Sequence, residues 1–211
     1  MTGILITGGE NPGAEHLRSL LSRDTLLGAA DSGIHWALDN GFSPDFVTGD
    51  MDSLPDLGIL DTLPGEKIYR YPAEKDDSDT ELGLKILKER GCTRLIVWGG
   101  GGGRMDHFLA IAALFDREDG PDEWFTRHEH FQKITERAVL SGREGRRVSL
   151  FPLGGEECRM TSTGLQWPLD RLAWRKGDFG LSNRIVKKEM IIQIKQGRLL
   201  MITDWREADR P

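Results

Sequence analysis

Arg94-Leu95-Ile96-Val97-Trp98-Gly99-Gly100-Gly101-Gly102-Gly103-Arg104-Met105-Asp106-His107 is the stretch on which the fold turns. Arg94 to Trp98 has the length and apolar character of a buried strand. Five glycines interrupt it, and Met105 to Phe115 then carries helical spacing. A strand that feeds a helix through a glycine loop is half of a parallel β/α repeat. Glycine amides in such a loop can face phosphate oxygens, and Arg104 adds a fixed fork of donors. No Gly-Lys-Ser/Thr follows, so this is not a Walker loop, and a GxGxxG fingerprint is not in its usual position. The bland alternative is a flexible connection with a surface arginine. Its place at the carboxyl end of a strand favours phosphate binding.

Upstream the same alternation repeats. Gly3 to Thr7 reads as a strand, Ala14 to Leu21 as a helix, and Thr25 to Ala30 as a strand running into Asp31-Ser32-Gly33. Ser32 to Asn40 is helical and stops at Gly41, and Asp45 to Thr48 is a short strand before Gly49-Asp50-Met51-Asp52-Ser53. Lys67 to Tyr71 is a further strand, after which Asp76-Asp77-Ser78-Asp79 opens a helix with Leu82, Ile86 and Leu87 as its apolar stripe. Downstream the pattern changes. Glu118 to Asp122 suits a linker, dividing an α/β domain over 1–120 from a strand-rich domain over 121–211. Trp124 to Thr126, Arg137 to Leu140, Arg147 to Phe151 and Met190 to Ile194 are short runs split by glycine turns. They predict a small antiparallel β-domain.

Composition narrows the function. Apolar residues are 38% of 211, enough for a real core, and a disordered chain is not expected. A net charge of -6 without a basic run disfavours nucleic acid and anionic membranes as partners. No apolar run approaches the ~20 residues that span a bilayer. The first residues lack the basic start and long apolar stretch of a signal peptide, so a soluble, cytoplasmic protein is expected. Cys92 and Cys158 have no zinc-like spacing and are expected to be free thiols. His128-Glu129-His130 places two imidazoles on one strand face without further ligands, and no metal is assigned to them.

Two acidic motifs carry the chemistry. In an extended Gly49-Asp50-Met51-Asp52, the two carboxylates project to one side and could share a hard cation. A polar turn would use the same residue types. Lys75-Asp76-Asp77-Ser78-Asp79-Thr80-Glu81 has a capping explanation for one or two of its acids. Four acids between Asp76 and Glu81 repel one another beyond what capping asks, and a bound cation would relieve them. Gly164 to Leu169 and Leu181-Ser182-Asn183 are unremarkable on their own, a turn cover and a turn.

Taken in order, six segments resemble the thiamine pyrophosphokinase family over nearly the whole chain. They are Ala30-Asp31-Ser32-Gly33, Pro44-Asp45 with Gly49-Asp50-Met51-Asp52-Ser53, Lys75-Asp76-Asp77-Ser78-Asp79, Gly102-Gly103-Arg104-Met105-Asp106-His107, Gly164-Leu165-Gln166-Trp167-Pro168-Leu169, and Ser182-Asn183. Ser32, Ile34-His35, Met51 and Ser78 depart from the usual Gly, Ala-Asn, Phe and Thr. The resemblance implies a Rossmann-like N-terminal domain for ATP and magnesium, a C-terminal β-sandwich for thiamine, and a homodimer with sites between subunits. It implies that Asp50, Asp52 and Asp79 gather magnesium, and that Asp31, Lys75, Asp76, Gly102, Gly103, Arg104, Asp106 and His107 serve the nucleotide. Trp167, Leu169, Ser182 and Asn183 would hold thiamine, the indole by stacking.

The implied reaction is attack by the thiamine hydroxyl on the β-phosphorus of ATP, with AMP leaving. Such a transition state is loose and heavily charged, so positioning and charge neutralisation outweigh a strong base. Asp79 is the first candidate for proton acceptor, although a metal-bound carboxylate is a poor base. Competing readings are a pyrophosphokinase acting on a pterin-like alcohol, a non-catalytic nucleotide sensor, and a metal-dependent phosphatase. Trp167 with Ser182-Asn183 speaks against the first, the retained Asp50, Asp52, Asp79 and Arg104 against the second, and the glycine loop against the third.

Overall fold

A computed structural model describes residues 1–51, 58–59 and 63–204. The described chain divides into two compact units, one of residues 1–114 and 120–127, the other of residues 115–119 and 128–204.

The first unit is built on a parallel sheet. Its strands are β1 (Thr2–Ile6), β2 (Thr25–Ala30), β3 (Phe46–Gly49), β4 (Ile68–Arg70), β5 (Arg94–Trp98) and β6 (Glu123–Phe125). They lie in the order β6-β5-β1-β2-β3-β4, every neighbour parallel. The chain builds outward from β1 through β2, β3 and β4, then crosses to β5 on the other side of β1. Helices α1 (Ala14–Leu20), α2 (Gly33–Asp39), α3 (Asp79–Glu89) and α4 (Met105–Leu114) complete the unit. On β1, Ile4 and Ile6 join Leu17 of α1 and Ala37 of α2 in one cluster with Ile96, Trp98 and Phe125. Residues of opposite parity face α3, which packs so close that a Cβ on its Gly83 would lie 2.5 Å from Leu5. Strands covered on both faces explain why β1 and β5 read as unbroken apolar runs.

The strand β6 lies beyond the 120/121 boundary expected from the sequence, yet it pairs in parallel with β5 through Ile96↔Glu123 and Trp98↔Phe125. The first unit therefore keeps residues past the acidic linker. Trp124 fixes it there, donating its indole N–H to the Gly99 carbonyl at 2.6 Å.

The second unit is antiparallel, as its short alternating runs predict. Strands β7 (Glu129–Ile134), β9 (Arg147–Leu153), β12 (Gly180–Arg184) and β14 (Arg198–Asp204) form one sheet, ordered β12-β9-β14-β7. Strands β8 (Arg137–Ser141), β10 (Cys158–Thr163), β11 (Ala173–Trp174) and β13 (Glu189–Gln196) form the other, ordered β11-β10-β13-β8. Alternate residues of both sheets meet in one cluster, among them Val148, Leu150, Met160, Met190, Ile192, Leu199 and Met201. Cys92 and Cys158 are both buried and unbridged. Among the described residues, no helix is long and apolar enough to cross a membrane.

Candidate active site

In an open parallel sheet, ligands gather outside the carboxyl ends of the strands. Four chain segments converge on that edge here. Asp31 follows β2, Asp50 follows β3, Lys75 and Asp79 follow β4, and the glycine loop follows β5.

Asp31 sits in the left-handed region (φ 45°) and donates its backbone N–H to Thr48 at 2.9 Å. Its carboxylate lies over Gly49, where an added Cβ would stand 1.8 Å from Asp31 Oδ1. Only glycine allows that approach, and at φ 144° the backbone there is also one that side chains resist. Met51, in the left-handed region (φ 65°) rather than extended as expected, turns inward among Ala29, Ile34 and Val47, while half-buried Asp50 turns to Asp31 and Asp79. Asp52 lies outside the described residues.

The acidic run before α3 divides by task. Ser78 is the N-cap and forms a capping box with Glu81, whose backbone N–H donates to Ser78 Oγ at 3.3 Å while Oε2 accepts from the Ser78 N–H at 2.9 Å. Asp77 pairs with Lys85 at 2.6 Å, and Asp76 is exposed. Asp79, the first residue of the helix, meets Asp31 and Asp50. Each of the three offers a carboxylate oxygen within 4.8 Å of the others, and all three residues are half-buried.

Lys75 accompanies them. Lys75 Nζ lies 3.0 Å from Asp79 Oδ1 and 3.9 Å from Asp50 Oδ2, and donates to the Pro72 carbonyl at 3.1 Å. Burial pulls this ammonium's pKa down. The Asp79 bond and the charges of Asp79, Asp50 and Asp31 outweigh burial and hold it above its ordinary value. Asp31 is pushed up to about 7, first by burial, then by its hydrogen bond with Asp79 and repulsion from Asp79 and Asp50, with Lys75 opposing. Among the described residues, its buried Oδ1 has no hydrogen-bond partner. Oxygen donors, surplus negative charge and an unsatisfied carboxylate oxygen suit a hard divalent cation.

A pH dependence follows. A carboxyl group whose folded pKa is raised adds stability below its unfolded value and loses it as pH climbs through the folded one. The melting temperature in chelator should therefore fall between roughly pH 4 and pH 7 through Asp31, and Asp31→Asn should flatten that slope. An equal slope in wild type and Asp31→Asn would contradict the assignment.

The glycine loop is tied to the segment after β1. Gly100 donates to the Gly8 carbonyl at 2.8 Å, and Glu10 to the Gly101 carbonyl at 2.7 Å. Gly99 needs its lack of a side chain, since φ is 94° and a Cβ would lie 2.2 Å from Asn11 Oδ1. Beyond it Gly102, Gly103, Arg104, Asp106 and His107 are exposed. Arg104 forks onto Asp106, Nε to Oδ1 at 3.1 Å and Nη2 to Oδ2 at 2.6 Å. That bond, with smaller help from backbone donors, holds the Asp106 carboxyl down to about 2 against a small burial effect.

In the second unit, Trp167 presents an indole that is 56% exposed. Asn183 is buried and grips the Trp167 backbone from both sides, accepting from its N–H at 3.2 Å and donating to its carbonyl at 2.7 Å. Leu169 is buried in the core cluster, with its N–H on Ser162 Oγ at 2.9 Å. Ser182 is exposed, in the left-handed region (φ 57°), at an irregularity where β12 pairs with β9. It lines a cavity of about 300 Å³ with His128, Glu129, Arg147, Ser149, Ile202 and Asp204.

The structure thus brings Asp31, Asp50, Asp79 and Lys75 together. Sequence reasoning grouped Asp31 with the nucleotide and missed its place in the carboxylate cluster. The available signal was its position after a strand, in register with Gly49-Asp50 after the neighbouring strand. Ser149 and Arg147, alternate residues of β9, line the same cavity as Ser182 and were not singled out from the sequence.

The family profile described as "Thiamin pyrophosphokinase, catalytic domain" matches residues 17–119, and "Thiamin pyrophosphokinase, vitamin B1 binding domain" matches residues 132–199. The thiamine pyrophosphokinase of Bacillus subtilis is 26% identical over 207 residues, spanning 94% of this chain and 96% of that protein. Thiamine pyrophosphokinase 1 of Arabidopsis thaliana is 26% identical over 174 residues, 74% of this chain and 63% of that protein. The crystal structure of the Bacillus subtilis enzyme superposes with a TM-score of 0.82 at 25% identity, covering 97% of this chain and 99% of that one. Matches to both profiles, one in each half of the chain, leave one assignment: the chain belongs to the thiamin pyrophosphokinase family.

Proposed function

We propose that this protein transfers the β,γ-diphosphate of ATP to the hydroxyl of thiamine, giving thiamine diphosphate and AMP. The observation that carries the reading is the cluster of Asp31, Asp50 and Asp79 at the carboxyl edge of a parallel sheet. Asp50 and Asp79 would hold magnesium with Asp31 beside them, and Asp52 is proposed to join from outside the described residues. Magnesium there supplies charge neutralisation on the phosphate oxygens. The chain's own groups do the rest. Lys75 and the Arg104 fork give donors for phosphate, and the loop amides from Gly99 to Gly103 permit close approach. Trp167 offers a stacking face to the vitamin's aromatic rings, and Asn183 fixes the backbone that aims it. Ser182 offers a hydroxyl among the residues that line the cavity.

The finer reading has a Rossmann-like first domain, a second domain layered as a sandwich, and a cytoplasmic homodimer with sites shared between subunits. Exposed apolar side chains on each unit support association, Met105 and Leu109 on α4, and Phe179 and Leu181 near β12. The acceptor is tested by incubating the protein with ATP, magnesium and either thiamine or a hydroxymethyl pterin. AMP should form only with thiamine, one equivalent per thiamine diphosphate. AMP formed with the pterin alone would overturn the assignment.

A further inference from the structure

We propose that Lys75 is a built-in counter-cation that the metal must displace, so that Lys75 makes metal and nucleotide bind cooperatively. This rests on the reading of Asp31, Asp50 and Asp79 as the metal cluster. Lys75 is held in its place by its own loop, through the Pro72 carbonyl at 3.1 Å, as well as by Asp79 at 3.0 Å. Its side chain is only 13% exposed, far from the freely solvated state usual for lysine. It is also the cation that opposes the repulsion on Asp31. Carboxylates packed this closely repel one another, and Lys75 offsets that charge at Asp79 and Asp50 without any ligand.

That arrangement sets up a competition. A divalent cation that takes Asp79 and Asp50 meets a fixed positive charge within 4 Å of both acceptors. To admit it, Lys75 must release Asp79. The lysine stem is long and flexible, with a compact ammonium that can re-aim without breaking backbone bonds. ATP brings phosphate oxygens to which the freed ammonium can turn. Metal alone therefore displaces Lys75 at a cost, whereas metal with nucleotide gives it a new partner. The two ligands help each other through one side chain, and the coupling is reciprocal.

The test is manganese titration of the full chain, followed by electron paramagnetic resonance, with and without α,β-methylene ATP. In wild type, manganese alone should bind weakly and the analogue should tighten it strongly. Lys75→Met should bind manganese alone more tightly, by a factor within the ~5–150-fold range of coupled sites, and should lose much of the analogue's help. Lys75→Arg keeps the charge and should stay near wild type without nucleotide. Manganese binding in Lys75→Met that is unchanged or weaker overturns the proposal. No binding in wild type even with the analogue would overturn the metal cluster itself, a separate outcome. A readout independent of any change in folding is the Lys75 Cε resonance of wild type labelled with carbon-13 lysine. Magnesium alone should shift it, and no shift at saturating magnesium overturns the displacement.

Discussion

Asp79→Asn is expected to lower turnover by more than the ~10–100-fold that loss of an outer partner of a metal site costs. Asp79 touches everything in the cluster. It raises the Asp31 pKa, carries the 3.0 Å contact to Lys75, and offers one of the three converging oxygens. An amide keeps the shape but removes the charge that a hard cation seeks. Stability should change little, because two effects oppose. The Lys75 ion pair is lost, while repulsion against Asp31 is relieved. With the two effects opposed, the net change should stay within ~1 kcal/mol, which in a chain of this size moves the melting temperature by only ~2–4 °C. Steady-state turnover and a melting curve in chelator check both halves. Near-normal turnover would remove Asp79 from the machinery. A collapse in melting temperature would mean that its role is to hold α3.

Asp79→Ala and Trp167→Ala chains, each poor alone, should recover about a quarter of wild-type activity when refolded together in equal amounts. In a closed two-fold dimer with shared sites, random pairing makes about half the dimers mixed, and each mixed dimer has one site with both defects and one with neither. Trp167→Ala weakens thiamine by an expected ~1–3 kcal/mol, so the assay is run at thiamine well below that variant's KM. Recovery must be read against proof of subunit exchange, such as tagged chains isolated as mixed dimers. Exchange without recovery would place each site within one chain.

Much of this architecture is legible from local chemistry. The strands β1 and β5 and the helix α3 announce themselves, because full burial forces apolar runs and a capping box marks where a helix starts. Asp50 is legible as an acid after a strand, but the extended backbone expected around it is not found: Met51 takes the left-handed region (φ 65°) and enters the core by that turn. What stays hidden depends on which strands become neighbours. Asp31 joins Asp79 and Asp50 only because β2 and β3 are parallel partners, with Ala30 beside Thr48. The strand β6 looks like the start of a β-domain until its pairing with β5 is known. The polar strand β12 hides because its residues are mostly exposed, and Asn183 is recognisable as a clamp on Trp167 only in three dimensions. Leu169 illustrates the converse: a family position named for the vitamin is buried in the core here.

Magnesium-dependent transfer of the intact β,γ-diphosphate can be followed with ATP carrying phosphorus-32 at the β position, incubated with the protein, magnesium and thiamine, and separated by chromatography. All the transferred label should appear in thiamine diphosphate, with unlabelled AMP in equal amount and no transfer in chelator. Label retained in ADP, with thiamine monophosphate as the product, would contradict it.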